Sequence, residues 1–202
     1  INLESILALE PDLVVAWYTG GANTTVSKIR ELKIPVFINH APDLASIGTF
    51  IKKIGLLVGK QKQGVLLEQQ FFSRLNSFRG RKDRPEKKVF FQIADKQLFT
   101  VSDTHLIGQA ISMCGGKNIF GSLDIPVPIV SKESVLTTNP DLIIISKPSN
   151  HAGLSWLEKW AKINGFREKV RFIDAELISR PSMRMLQGIE RLCQLISQDR
   201  YN

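Results

Sequence analysis

The stretch that decides the fold lies at residues 2–17 and reads NLESILALEPDLVVAW. It joins a segment with helical spacing to a short apolar run, and Pro11 separates the two because proline cannot continue a helix. Asn2 can cap the helix, and Glu4 stands in its first turn, where the helix dipole stabilises a carboxylate. The pattern therefore predicts a helix that ends at Pro11 and leads into a buried strand over residues 13–17.

The same arrangement occurs a second time in the chain. Residues 133–142 read ESVLTTNPDL, against ESILALEPDL at residues 4–13, with a constant offset of 129 positions (133 − 4 and 142 − 13). Each copy predicts a helix that opens with Glu, ends at Pro and leads into an apolar strand. Chance similarity between two common helix–strand turns is the alternative. We interpret the repeat as two related α/β lobes.

Helix and strand patterns alternate along the rest of the chain. Beyond the two copies, helices are predicted over residues 22–32, 44–58, 105–113, 154–163 and 182–197, and strands over 34–38, 89–93 and 170–173. This alternation is typical of parallel sheets flanked by helices. The predicted fold class is therefore α/β.

A longer helix is predicted between the two copies of the repeat. Residues 60–78 carry apolar side chains at helical spacing and would span about 28 Å at about 1.5 Å per residue. We therefore predict a first lobe over residues 1–59, a connecting helix over 60–80 and a second lobe over 81–202.

Composition and charge narrow the class of protein. The chain of 202 residues is 43% hydrophobic and 23% charged, which is typical of a globular protein. A net charge of +8 favours acidic partners without choosing among them. The basic residues of 79–88 lack interleaved aromatic residues, which favours a solvated connector over a nucleic-acid site. No apolar run is long enough to span a bilayer, and no signal peptide is visible at Ile1, so we expect a soluble chain.

Signatures of catalysis and of metal binding are missing. Residues 55–61 resemble a phosphate-binding loop, but three residues instead of four separate the glycines and the stretch stands at a helix end. No nucleophile elbow is present, and His40, His105 and His151 lack the spacing that would bring two of them to one helix face. We expect no enzyme activity, no cofactor and no metal site.

The candidate ligand-binding residues are those that follow predicted strands. Trp17 and Tyr18 end the first strand, Phe99 follows the strand at 89–93, and Glu176 and Arg180 follow the strand at 170–173. Ligands of open parallel sheets bind beyond the carboxyl ends of the strands. These residues would suit a large, partly apolar ligand. The alternatives are core packing for Trp17 and a solvated cation for Arg180.

Cys114 and Cys193 are the two cysteines, and they lie 79 positions apart without a Cys-x-x-Cys pair. This spacing does not favour a zinc or thioredoxin-type site. Their spacing leaves open whether they are two buried thiols or a disulfide formed in an oxidising compartment.

Several of these stretches resemble the periplasmic cobalamin-binding protein family. Residues 2–17 are similar to the signature of its first lobe, and residues 88–92 with 99–100 are similar to its strand into the second lobe. The stretch CGGKNIF at 114–120, with residues 126–136, resembles its most distinctive segment. Residues 180–193 resemble its final helix, so the resemblance covers essentially the whole chain. The Pro-Asp-Leu element is shared with siderophore and haem receptors of the same superfamily.

The resemblance implies a binding protein of an ABC importer, with two α/β lobes and a helical spine. Such a protein captures a corrinoid (vitamin B12) between its lobes in the periplasm and meets the membrane only through the permease dimer. Cys114 and Cys193 match the paired cysteines of the family, which implies a disulfide. Glu4 and Glu133 match its lobe-tip glutamates, which dock onto permease arginines. Their alternative role is to stabilise two helix N-termini.

The resemblance extends to the ligand-binding positions. Trp17, Phe99 and Arg180 fall on positions that contact cobalamin, and Glu176 falls where the family has an acidic residue. Val127 and Ile93 depart from the pattern, since the family carries tryptophan and phenylalanine there.

The family's chain also begins several dozen residues before the point that matches Asn2, so the first lobe is expected to be incomplete at its N-terminus. A siderophore or haem receptor is the alternative within the superfamily. A cofactor-dependent α/β enzyme is a weaker alternative, and a nucleic-acid module ranks last.

Overall fold

The computed structural model describes residues 2–17, 23–78, 86–94, 97–147 and 154–198. The chain forms two compact units, Ile1–Ala41 and Pro42–Asn202, called unit one and unit two below. Tyr18, most of the basic stretch 79–88 and His151 lie outside the described residues. The lobe boundaries predicted from the sequence stay a prediction.

Unit one contains a two-stranded parallel sheet with two helices. Its elements are α1 (Leu3–Leu7), β1 (Val14–Trp17), α2 (Asn23–Glu31) and β2 (Val36–Asn39). The strands pair in register, so that Val14 lies opposite Val36 and Trp17 lies opposite Asn39. Helix α1 begins as the sequence predicts, because the side-chain oxygen of Asn2 accepts the Glu4 backbone N–H at 2.9 Å.

Unit two contains a parallel sheet of four strands in the order β4-β3-β5-β6. Its elements are α3 (Leu44–Leu57), α4 (Gln61–Ser77), β3 (Lys87–Gln92), α5 (Leu106–Met113), β4 (Gly116–Asn118), α6 (Lys132–Thr138), β5 (Leu142–Lys147), α7 (Leu154–Ala161), a 3-10 turn (Arg167–Lys169), β6 (Val170–Asp174), α8 (Ala175–Ile178) and α9 (Met185–Ser197). The central strand β5 is buried along nearly its whole length, as expected of a parallel strand covered on both faces. The predicted α/β class with helix-flanked parallel sheets is confirmed.

The internal repeat is visible in the backbone as well as in the sequence. Glu10 has a φ of 44° and Asn139 a φ of 46°, and each directly precedes the proline of its copy. A positive φ is uncommon in residues other than glycine. The two copies therefore share a left-handed turn between helix and strand, which sequence comparison alone does not show.

Helices α3 and α4 form an antiparallel hairpin. The Lys52 ammonium lies 3.1 Å from the Glu68 carboxylate across the pair, and Gly55 packs against Gly64. Residues 60–78 were predicted as one long helix, and α4 covers that range almost completely.

Strand β4 was missed from the sequence, because three residues of glycine, lysine and asparagine show no apolar alternation. Gly116 makes this strand fit. A Cβ there would lie 3.1 Å from side-chain carbons of Val89, Ile111 and Ile196. β4 therefore forms because Gly116 permits close packing against its neighbours. The local sequence pattern does not indicate this strand.

A disulfide joins Cys114, at the end of α5, to Cys193 in α9. Their Cα atoms are 4.7 Å apart across a sequence separation of 79 residues. The structure thus decides between the two interpretations that spacing left open, and it confirms the disulfide that the family resemblance implied. Within the described part of the chain, every helix is too short or too polar to cross a bilayer.

Candidate functional site

The candidate site of unit two lies along the carboxyl edge of its sheet. Strand β3 ends at Gln92 and strand β6 ends at Asp174, with β5 between them. At about 4.8 Å between neighbouring strands, these two ends are about 10 Å apart. The sheet thus brings the chain segments that carry Phe99 and Arg180 to the same edge, where parallel sheets bind ligands.

Phe99 is presented by a short antiparallel pairing of two loop segments. It forms a bridge with Ile129, and the Thr100 N–H donates to the Pro128 carbonyl at 3.0 Å. The Ile93 N–H donates to the Phe99 carbonyl, also at 3.0 Å. Backbone hydrogen bonds therefore hold Phe99 from both sides, and its side chain is half-buried.

The segment that pairs with Phe99 carries exposed apolar side chains. Leu123, Ile125 and Ile129 are 39%, 63% and 58% exposed, while Val127 is half-buried. Exposed apolar side chains that form a contiguous patch favour contact with a ligand or a partner. Of these residues, the sequence pattern singles out Val127 only; the signal for the others is the alternation of apolar residues at positions 123, 125, 127 and 129, around Pro126 and Pro128.

Glu176 and Arg180 are brought together at the end of β6. Asp174 caps helix α8 by accepting the Glu176 N–H at 2.8 Å, which sets the direction of that helix. The Arg180 guanidinium then lies 3.9 Å from the Glu176 carboxylate. The side chains are 73% and 50% exposed, so the pair is weak and Arg180 stays accessible to an oxygen-rich ligand group.

Trp17 is the last residue of β1 and is 37% exposed, which argues against the core-packing alternative. Its register partner Asn39 is 4% exposed, and the Asn39 Nδ2 has no hydrogen-bond partner among the residues that the structure describes. Both residues stand at the carboxyl edge of the sheet in unit one. Tyr18, the next predicted contact, lies outside the described residues.

Glu4 and Glu133 occupy equivalent positions in the two copies of the repeat. Each is the second residue of its helix, after a capping side chain supplied by Asn2 or Ser131. Both carboxylates are exposed, and neither forms an ion pair with another residue that the structure describes. The helix dipole stabilises them, yet both remain open to an external cation.

His105 has a structural role at the start of α5. Its Nδ1 accepts the Ile107 backbone N–H at 3.1 Å, which requires the neutral ring, and burial lowers the pKa of this histidine. Over the ranges that the structure describes, the His, Cys, Asp and Glu side chains form no cluster of three able to hold a metal ion.

Comparisons with known proteins agree with this architecture. A family model described as a periplasmic binding protein matches residues 1–170. The vitamin B12-binding protein of Vibrio cholerae serotype O1 is 29% identical over 195 residues, covering 96% of this chain and 71% of that protein. That of Yersinia pestis (strain Pestoides F) is 31% identical over 198 residues, covering 96% and 69%.

Solved structures show the same similarity. The periplasmic vitamin B12 binding protein BtuF of Vibrio cholerae superposes with a TM-score of 0.80 at 28% identity, covering 97% of this chain and 78% of that chain. The periplasmic haem-binding protein RhuT from Roseiflexus sp. RS-1 superposes with a TM-score of 0.82 at 20% identity, covering 97% and 79%. The second likeness shows a shared fold and no more.

Proposed function

The chain belongs to the periplasmic binding protein family, and from that premise we propose that it captures vitamin B12 or a related corrinoid and delivers it to an ABC transporter permease. In this role the protein works in the periplasm and reaches the membrane through its permease. The role asks for reversible binding and release, and it needs no catalytic group of the protein.

The observation that carries the proposal is the similarity to proteins named for vitamin B12 binding. It reaches 31% identity and extends over 96% of this chain. The haem-binding protein RhuT, with a TM-score of 0.82 against 0.80 for BtuF, is only 20% identical to this chain. Since fold alone does not distinguish ligands within such a family, the higher identity favours a corrinoid over haem or a siderophore.

The edge of the sheet in unit two suits both parts of a corrinoid, the apolar ring system and the polar amide side chains at its rim. Phe99 and the exposed Ile125 and Ile129 would pack against the apolar part of the ligand. Arg180, which lies beside Glu176 and stays exposed, would donate to the amide or phosphate oxygens at the ligand's rim.

The ligand contacts of unit one remain those predicted from the sequence, Trp17 and Tyr18. Trp17 is 37% exposed, which would leave part of it free to contact a ligand. Val127 and Ile93 supply smaller side chains than the family pattern, so we expect apolar contact by aliphatic groups at those two positions.

Delivery would use Glu4 and Glu133 as a pair. The two carboxylates stand at the same point of a repeated helix–strand element, and both are exposed. A permease built from two like subunits would present its arginines in duplicate, which a repeated carboxylate matches.

Calorimetric titration of the chain with cyanocobalamin tests the proposal, with haemin as the competing ligand. We expect saturable binding of cyanocobalamin, a rise in Tm and weaker or no binding of haemin. Saturable binding of haemin with no heat and no Tm shift from cyanocobalamin would overturn the corrinoid assignment in favour of a haem receptor. The absorbance of the purified protein gives an independent reading of its bound ligand.

A further inference from the structure

A buried hydrogen bond joins Trp160 of α7 to Gln92 at the end of β3. The indole Nε1–H of Trp160 donates to the Gln92 Oε1 across 2.8 Å, and the two residues are 2% and 1% exposed. The Gln92 Nε2 in turn donates to the backbone carbonyl of Ala94 at 3.0 Å. Both polar ends of one buried side chain are therefore used, one toward a helix and the other toward the loop that follows the strand.

The loop held by Gln92 is the one that leads to Phe99. Ile93, between Gln92 and Ala94, donates its N–H to the Phe99 carbonyl at 3.0 Å. The bond from Gln92 to Ala94 thus fixes the backbone beside the Ile93–Phe99 contact. A shift of Ala94 would carry Ile93 with it and would displace Phe99.

The Trp160 indole, which donates the hydrogen bond to Gln92, is itself held in place by aromatic contacts. The Trp160 ring meets Phe90 edge to face at 5.7 Å and stacks on Phe166 at 6.1 Å with 15° between the planes. Because two aromatic contacts set the orientation of the indole, its N–H points in one direction. Gln92 is the side chain that suits this site, since its amide offers an acceptor and a donor in one rigid plane.

We propose that Gln92 and Trp160 are positioning residues of the ligand site: the pair holds Ala94 and so sets the place of Phe99. The inference rests on the proposed function, because Phe99 is a proposed ligand contact. A purely structural role of Gln92 would require only that its amide accept the hydrogen bond from the Trp160 indole. Here the same amide also donates to the carbonyl of Ala94, next to the residue that bonds to Phe99.

Two variants of the whole chain and one control test the inference. Gln92→Met fills a similar volume and removes both hydrogen bonds, whereas Trp160→Phe removes only the indole donor. Ile189→Ala truncates a buried residue of α9 and destabilises the fold by a different route. Amide hydrogen exchange of Ile93 in the ligand-free protein reports on the loop, and cyanocobalamin titration reports on the site.

We expect Gln92→Met to speed exchange at Ile93 at least tenfold and to weaken cyanocobalamin binding about tenfold. Trp160→Phe should change both in the same direction and by less. Ile189→Ala, compared at an equal loss of stability measured by urea, should leave the Kd within twofold of the unmodified chain. Exchange at Ile93 that rises no more in Gln92→Met than in Ile189→Ala would overturn the inference, as would a loosened loop with an unchanged Kd.

The two proposals fail in different ways. If the unmodified chain binds no cyanocobalamin, the proposed function is wrong. Exchange at Ile93 still decides whether the Gln92–Trp160 pair holds the loop, and the same titration with haemin then decides whether that loop serves a ligand.

Discussion

Gly55 and Gly64 pack against each other where α3 and α4 pair, so closely that a Cβ on Gly55 would lie 2.6 Å from the Gly64 Cα. The contact is backbone against backbone, which no rotamer change can relieve. It lets the two helices of the hairpin approach more closely than side chains would permit, and it explains why both positions are glycine although glycine disfavours helices.

Gly55→Ala should therefore destabilise the fold, against the trend for glycine replacement in helices. Alanine in place of glycine ordinarily favours a helix by about 1 kcal/mol, but here the added methyl group overpacks the helix pair at a cost of about 1–3 kcal/mol. Urea denaturation should show a lower midpoint for Gly55→Ala. Thr49→Ala, at an exposed position of α3, is the matched control and should change stability by less than about 0.5 kcal/mol. A Gly55→Ala variant as stable as the unmodified chain would contradict the close packing.

Removal of the Cys114–Cys193 disulfide should lower stability by about 2–5 kcal/mol, because a long loop is then open in the unfolded chain. We expect the double variant Cys114→Ala, Cys193→Ala to denature at a lower urea concentration. Reductant should lower the midpoint of the unmodified chain and leave that of the double variant unchanged. An equal response of the two proteins to reductant would contradict this prediction.

Acid should weaken the start of helix α5 through His105. Burial lowers the pKa of this ring in the folded protein below its ordinary value of about 6.5, so the unfolded chain binds the proton more readily. The contribution of His105 is thus fully present above about pH 6.5 and is lost as the pH falls from there toward the folded-state pKa. His105→Asn keeps a capping acceptor without a titrating ring.

Urea midpoints measured between pH 7.5 and pH 5 check this prediction. The unmodified chain should lose stability over that interval more steeply than His105→Asn. Parallel curves for the two proteins would show that the ring does not contribute.

Arg180→Ala should weaken cyanocobalamin binding about 10- to 100-fold, since a hydrogen bond from a charged donor contributes about 1.5–3 kcal/mol. Calorimetry measures the Kd directly. Arg191→Ala, an exposed arginine of α9, removes the same charge away from the carboxyl edge and should leave the Kd within twofold. Equal losses in the two variants would point to a general charge effect.

Reversing the charge of Glu4 and Glu133 should block delivery of the ligand to the permease and leave ligand binding unchanged. We expect Glu4→Arg with Glu133→Arg to abolish stimulation of the permease's ATP hydrolysis while cyanocobalamin still binds with an unchanged Kd, because like charges would then meet at the docking surface. Glu158→Arg, at an exposed position of α7, is the control for reversing the charge of a single carboxylate outside the repeat, and each of Glu4→Arg and Glu133→Arg alone is its match in charge. Full stimulation by the double variant would show that these glutamates serve only their helices.

Much of the secondary structure of this protein can be predicted from its sequence, because it depends on local interactions. The cap at Asn2 and the periodicity of residues 60–78 each depend on near neighbours in the chain, and the structure has the corresponding elements. The helix predicted to end at Pro11 already ends at Leu7. The repeat around Glu4 and Glu133 also follows from the sequence, because it is a comparison of two local patterns.

Tertiary structure alone decided the features that depend on distant parts of the chain. Whether Cys114 meets Cys193, whether a polar strand forms around Gly116, and whether Gln92 finds Trp160 depend on contacts between segments that lie far apart in sequence. Such contacts follow from packing in the folded core. The order of residues determines which elements exist, and the close approach of those elements determines which side chains act together.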